Sequence, residues 1–229
     1  MSVNIPAGRK HLSKVFDMGD ATMNASTEVL HESGVVLDLI GTSLSALYQA
    51  ATCHRRCYGG PHVLEALSGR AYNLGAGAYT LIVRGLYDEG MNLIRSIAEI
   101  SNLIALSAAD KDAIKEWLAS DHKTRLKKFS PAKVRELLNK PGQEYPHFDG
   151  NWYSEFCEKY THVNPGTKPN LHNEAGQAYV GGAYQKDGLE KSLGELATVL
   201  GVTALMVCAY VKFDDLLVEI NSLVASLST

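Results

Sequence analysis

The sequence has little of what a secreted protein or a nucleotide-cofactor enzyme needs. Four cysteines in 229 residues are too few for a disulfide framework, which favours a reducing compartment, and we expect the cytoplasm. The first ten residues contain no apolar stretch, so we expect no signal peptide. The sequence also has no glycine-rich phosphate loop and no nucleophile elbow, and it therefore predicts no cofactor.

The sequence also lacks a large net charge and an apolar run long enough to span a membrane. The net charge is −3 and the pI is near 6.2, so nothing draws the whole chain to nucleic acid or to acidic membranes. Residues 196–211 form a run of sixteen residues without a charge. This run is shorter than the roughly 20 residues that span a bilayer. We interpret it as a buried core helix and expect no membrane partner.

Metal-ligand spacing is poor throughout the sequence. Cys53 and Cys57 are four residues apart, but they lack the second pair of ligands that a structural zinc site needs. Glu28 and His31 have the spacing of one half of a di-metal bundle site, without a usable second copy. Further candidates with no ligand motif are His147, Asp149, Cys157, His162 and His172. We therefore expect no metal.

Helical periodicity is what the sequence does contain, and no strand-like alternation persists. It predicts an all-α, single-domain bundle with a long central C-terminal helix and an irregular Gly/Pro-rich loop before it. We expect a polar, irregular arm over residues 1–24 and a helical domain over 25–229. Loops are predicted at 139–151 and 163–188. The predicted helices cover about 26–54, 61–86, 87–107, 108–120, 131–138, 151–160 and 189–225.

The helix around Arg95 and Glu99 is the most informative stretch. Its apolar residues Leu93, Ile97 and Ile104 share one face, and the two charged residues point away from Ile97. Acid and base four residues apart in a helix can form an ion pair. Two interpretations stay open: a solvent-exposed ion pair, or a charged pair facing a cleft, which would make it a functional site.

Two later segments carry the remaining candidates. His162 follows a predicted helix and precedes a Pro-Gly turn, and histidine is suited to acid–base chemistry at neutral pH. Asn164 lies beside it as a binding candidate. The alternative for His162 is a capping or loop-bonding role.

A basic run is the one local patch suited to phosphate, with Phe129 as a stacking ring. Its predicted binding residues are Lys123, Arg125, Lys127 and Lys128. A solvated loop face is the alternative.

The Arg95-x-x-x-Glu99 helix followed by Tyr160-Thr161-His162 resembles a broad group of uncharacterised bacterial helical proteins. That group is distantly similar to the HEPN superfamily of helical nucleotide-binding and RNase domains. HEPN nucleases pair an arginine with a histidine, across a dimer, to cleave RNA without metal. The string from Arg56 to His62 has the HEPN spacing, but Gly-Gly-Pro interrupts it.

Two hypotheses from different classes remain, of which the resemblance implies the first. In the first, the protein handles RNA or a nucleotide: Arg95 contacts a phosphate, Glu99 orients it and His162 is the acid–base group. In the second, the protein is a non-catalytic helical interaction module, dimeric through its long helices, in which Arg95 and Glu99 are structural. A cleft that joins His162 to Arg95 favours the first function.

Overall fold

The computed structural model describes residues 8–31, 33–57, 61–139, 147–169 and 179–227. Within these residues the chain is helical and has no strand, so the predicted all-α class is confirmed. The elements are α1 (Arg9–Leu30), α2 (Gly34–Ala51), α3 (Val63–Val83), α4 (Tyr87–Ala109), α5 (Lys111–Ala119), α6 (His122–Lys128), α7 (Pro131–Leu138), α8 (Gly150–Phe156), a π-helical turn (Cys157–Thr161), α9 (Lys186–Val211) and α10 (Asp214–Ser226).

Four long helices, α2, α3, α4 and α9, enclose the main hydrophobic core. Helix α9 packs against the other three, and its apolar residues Leu196, Leu200 and Ala204 are fully buried. Apolar burial of this kind is the main stabilising contribution to a helical bundle. The predicted long, central C-terminal helix is confirmed in α9.

Two glycines let the core helices approach closely. A Cβ at Gly75 of α3 would lie 2.9 Å from Leu200 Cδ2 of α9, so the missing side chain makes room for Leu200. A Cβ at Gly188 would lie 2.6 Å from the buried ring of Tyr87. The Tyr87 hydroxyl accepts a hydrogen bond from the Gln185 N–H at 3.0 Å. This bond ties the beginning of α9 to the beginning of α4.

The N-terminal segment is helical, whereas we predicted an irregular polar lead-in. Helix α1 extends to Leu30, and a second helix begins at Gly34, in place of one helix from about residue 26. Helix α1 buries small residues, including Gly19 and Ser26, and Arg84, the residue after α3, donates to Asp20 at 2.8 Å. Because the buried positions of α1 carry small residues, no apolar stripe marks the core-facing side of this helix, and this is why the prediction was wrong.

The C-terminal segment is two helices, whereas we predicted one continuous helix from about 189 to 225. Helix α9 ends at Val211, and Lys212 has a left-handed backbone with φ 58°. The Phe213 N–H bonds to the Cys208 carbonyl at 3.0 Å. Phe213 is buried and α10 folds back against α2 and α9. Tertiary packing of Phe213 therefore breaks a segment that contains no proline or glycine at the break.

The shorter helices begin close to where their capping residues predict. Helix α7 begins at Pro131, where the helix predicted over 131–138 begins, and proline suits this first helical position. Helix α5 begins at Lys111, later than the predicted residue 108, because the Asp110 side chain accepts the hydrogen bonds of its first turn. In the predicted loops, the described residues 139, 147–149, 163–169 and 179–185 are non-helical. Residues 150–151 and 186–188, which we also predicted as loop, instead begin α8 and α9. The other loop residues lie outside the described ranges.

Two helices, α2 and α9, are long and apolar enough to cross a membrane by length and composition alone. Core helices of globular proteins pass the same test. In α9, 61% of the most apolar window is buried inside the protein, against 33% in α2. The packing of α9 agrees with its interpretation as a core helix.

Candidate functional site

Arg95 and Glu99 are partly buried beneath α8. Their side chains are 18% and 32% exposed, and Arg95 Nη2 lies 3.0 Å from Glu99 Oε1. Arg95 also donates from Nε to Cys157 Sγ at 3.1 Å and from Nη2 to the Tyr153 hydroxyl, which in turn donates to Glu99. The pair is therefore one part of a four-residue network that joins α4 to α8 and the π-helical turn.

The network favours a charged arginine and a neutral tyrosine. Burial acts to lower the pKa of Arg95, but the hydrogen bond to Cys157 and the charge of Glu99 outweigh it and raise that pKa above its usual value. Burial, followed by the hydrogen bond to Glu99, raises the pKa of the Tyr153 hydroxyl well above its usual range. At neutral pH, Tyr153 is thus a proton donor to Glu99.

Two sets of side-chain hydrogen bonds fix the beginning of α8, one within its first turn and one from α4. The Asp149 carboxylate accepts the N–H groups of Asn151 and Trp152, both at 2.9 Å. Buried Asn102 of α4 donates to the Phe148 carbonyl at 3.0 Å and accepts the Phe148 N–H at 2.9 Å. Asn102 thereby satisfies the backbone of Phe148 and fixes where α8 begins.

The π-helical turn positions His162. The His162 N–H bonds to the Cys157 carbonyl five residues earlier at 2.8 Å, which closes the turn. A stack of aromatic rings below it includes Trp152 and Phe156, with ring centroids 4.0 Å apart. π-helical turns occur often at functional sites. The wider turn leaves the His162 side chain exposed at the end of the element.

His162 lies at a cleft of about 730 Å³ between α7, α8, the π-helical turn and the loop after it. The side chains on its wall that bear on function are Arg135, Tyr153, Cys157, Glu158, His162 and Asn164. Arg95 and Glu99 are not on this wall. They lie directly behind it, bonded to Tyr153 and Cys157.

Arg135 of α7 is the cation on the cleft wall. Its guanidinium carbon lies 4.2 Å from the centroid of the Tyr153 ring, and that of Arg95 lies 4.5 Å from the same centroid. Arg135 Nη1 is buried and has no hydrogen-bond partner among the described residues. Most buried donors in proteins have a hydrogen-bond partner, so Nη1 is available to donate to a ligand.

Asn164 shapes the loop that closes the cleft. Its side-chain oxygen accepts the Gly166 N–H at 2.8 Å, and its side-chain nitrogen donates to the Glu158 carbonyl at 3.0 Å. The Asn164 N–H bonds to Thr167 Oγ1 at 2.8 Å. These bonds use both ends of the amide. We therefore assign Asn164 to holding the loop against the π-helical turn.

The structure does not bring the predicted basic residues to the cleft. Arg125 of α6 donates to the Ser120 carbonyl, and Lys128 forms an ion pair with Glu116. Lys123 and Lys127 are exposed on α6. Phe129 is only 8% exposed, so it belongs to a small core and does not offer a stacking ring. Arg135, at the end of the same basic run, is the residue that reaches the site.

The histidines, acids and cysteine considered together for a metal do not assemble in the described part of the chain. His147 bonds to Asn139 at 2.8 Å, and Cys157 accepts from Arg95. His172 lies outside the described residues. The described residues instead place Cys53, Cys57 and His62 together at the end of α2.

Sequence reasoning missed the contributions of Tyr153 and Arg135. Tyr153 lies four residues before Cys157, so the two share a helix face, and this spacing is the one signal in the sequence. Nothing in the sequence shows that this face covers Arg95, because the contact spans 58 residues.

Comparison with protein-family models, with curated proteins and with solved structures gave no match.

Proposed function

We propose that the cleft binds a phosphate-bearing ligand, RNA or a nucleotide, and that His162 is the acid–base group of a metal-independent cleavage. The observation that carries this proposal is the pairing of Arg135 and His162 on one cleft wall. A guanidinium suits a phosphate, and an exposed imidazole suits proton transfer.

Electrostatics around Tyr153 support an anionic ligand. Two guanidinium groups lie over one ring, and Glu99 pairs with Arg95. Arg135 remains without a hydrogen-bond partner for Nη1 in the described structure. Glu158 lies on the wall but is exposed, so solvent screens its charge. A phosphate oxygen is a fitting acceptor for Arg135.

The residues then divide into two groups by their contact with the ligand. His162 takes the proton of an RNA 2′-hydroxyl, the 2′-oxygen attacks the adjacent phosphorus, and the bond to the 5′-oxygen breaks. The leaving oxygen takes a proton from solvent, and the products are a 2′,3′-cyclic phosphate and a 5′-hydroxyl end. From behind the wall, Arg95 and Glu99 position the wall residues Tyr153 and Cys157. This role replaces the direct phosphate contact that we expected for Arg95.

The test is incubation of the purified full-length protein with total RNA in EDTA. We expect wild-type protein to cleave RNA and His162→Ala to lose cleavage. His11→Ala, which removes an exposed histidine of α1, is the matched control and keeps activity. Arg135→Ala is expected to weaken RNA binding by about 10-fold or more, from the loss of a charged hydrogen bond. Intact RNA with wild-type protein contradicts the catalytic proposal.

A second function, a non-catalytic interaction module, has its own support. Helix α1 exposes three apolar side chains at helical spacing: Leu12 at 62%, Val15 at 49% and Phe16 at 61%. Contiguous exposed apolar residues mark interaction sites. The closed network of Arg95, Glu99 and Tyr153 is then purely structural. The partner that we propose for this stripe is a second copy of the chain.

A further inference from the structure

A cluster of two thiols and an imidazole lies at the junction of α2 and α3, where the sequence predicted no metal. One ligand atom each from Cys53, Cys57 and His62 lies within 4.8 Å of the other two. Two sulfurs bound to one tetrahedral zinc at ~2.3 Å are about 3.8 Å apart, so only small side-chain shifts are needed. We propose that Cys53, Cys57 and His62 bind Zn²⁺. This site is independent of the cleft.

The backbone at Cys53 supports a role for its thiol. Helix α2 ends in a Schellman arrangement, in which the His54 N–H bonds to the Gln49 carbonyl at 3.0 Å and the Cys53 N–H bonds to the Ala50 carbonyl at 3.3 Å. Cys53 occupies the left-handed position with φ 52°, where glycine is the usual residue. Cysteine meets no backbone need here that glycine would not meet with less strain.

Glu65 fixes the orientation of the imidazole. His62 precedes α3 with φ 47°, and its Nδ1 lies 3.3 Å from Glu65 Oε1. A carboxylate that accepts the Nδ1 proton leaves the Nε2 lone pair for a metal, the usual arrangement around protein-bound zinc. The same carboxylate oxygen lies 3.9 Å from Cys53 Sγ, so Glu65 contacts two of the three proposed ligands.

The chemistry of the donor set selects zinc. Two thiolates and a neutral imidazole match its preference for sulfur and nitrogen, and the two thiolates balance its charge. Each thiol loses one proton to the buffer on binding. Cys57 and His62 are exposed and Cys53 is half-buried. The ion has a path from solvent, and water completes its fourth position.

The experiment is a Co²⁺ titration of the reduced full-length protein, followed by displacement with Zn²⁺. We expect one equivalent of Co²⁺ to give a thiolate charge-transfer band and the strong visible bands of tetrahedral cobalt, both removed by Zn²⁺. Cys57→Ser and His62→Ala should weaken binding by more than 10-fold. Glu65→Gln should weaken it by about 10- to 100-fold, as for other residues that orient a ligand.

Cys53→Gly separates loss of a ligand from loss of the fold. Glycine suits the left-handed position, so the metal-free variant should melt no lower than the metal-free wild type, while cobalt binding is lost. His54→Ala, in the same turn but outside the cluster, is the control and keeps binding. The proposal is overturned if the thiols of the wild-type protein all react with a thiol reagent and Co²⁺ still gives no charge-transfer band. A Cys53–Cys57 disulfide that persists under reductant also overturns it, as does an unchanged band in Cys53→Gly.

Discussion

Tyr153 connects the cleft to the ion pair behind it. Its hydroxyl accepts from Arg95 and donates to Glu99, and its ring lies beneath the guanidinium of Arg135 on the cleft wall. Hydrogen bonds to charged groups are stronger than neutral ones, and a partly buried charge that loses a partner is costly. The hydroxyl therefore stabilises the fold, whereas exposed His162 is available for chemistry.

Tyr153→Phe tests this division. It removes the hydroxyl but keeps the ring, and Arg95 retains its direct contact of 3.0 Å with Glu99. We expect the free energy of unfolding in urea to fall by about 1–2 kcal/mol. Tyr210→Phe, at a tyrosine that is 54% exposed, is the control and should change stability by less than about 0.5 kcal/mol. Equal effects of the two variants would contradict a structural role for the Tyr153 hydroxyl.

The C-terminal helices differ most from our prediction, because the structure has a break between α9 and α10 where we predicted one continuous helix. A continuous helix and a left-handed break at Lys212 make opposite predictions for glycine at this position. Glycine inside a helix costs about 0.5–1 kcal/mol, whereas at a left-handed residue it relieves about 1 kcal/mol of strain. Lys212→Gly should therefore raise the urea midpoint. A lower midpoint would restore the single helix that we predicted from the sequence.

Local signals predicted the parts of this fold that depend on neighbours in sequence. The helix predicted over 131–138 is α7, and the spacing of Arg95 and Glu99 predicted their ion pair, because helix starts at proline and i,i+4 contacts are local. The break at Phe213 and the approach of Tyr153 to Arg95 are tertiary contacts without a local signal. Cys53 and Cys57 alone did not predict a metal site. The structure places His62 beside them, and the sequence contains no local signal for this contact.

Helix α1 exposes an apolar stripe on the side that faces away from the bundle. It packs on α3 through small residues and the Arg84–Asp20 bond. Its larger apolar side chains, Leu12, Val15 and Phe16, face solvent. Packing α1 against another α1 would bury these side chains. The residues of the cleft and of the cysteine cluster are not on α1. A dimer through α1 is therefore compatible with both other proposals.

Phe16→Lys tests that dimer by light scattering after size-exclusion chromatography over a range of protein concentrations. Burial of a phenylalanine side chain contributes roughly 1.5–3 kcal/mol, and a lysine in its place would be buried with its charge. We expect the dimer dissociation constant to rise by at least about 10-fold. Asp17→Asn makes the same unit change in charge at the next exposed residue and should leave the dimer intact. A wild-type monomer at all concentrations, or equal dissociation constants for Phe16→Lys and wild type, would remove α1 as the interface.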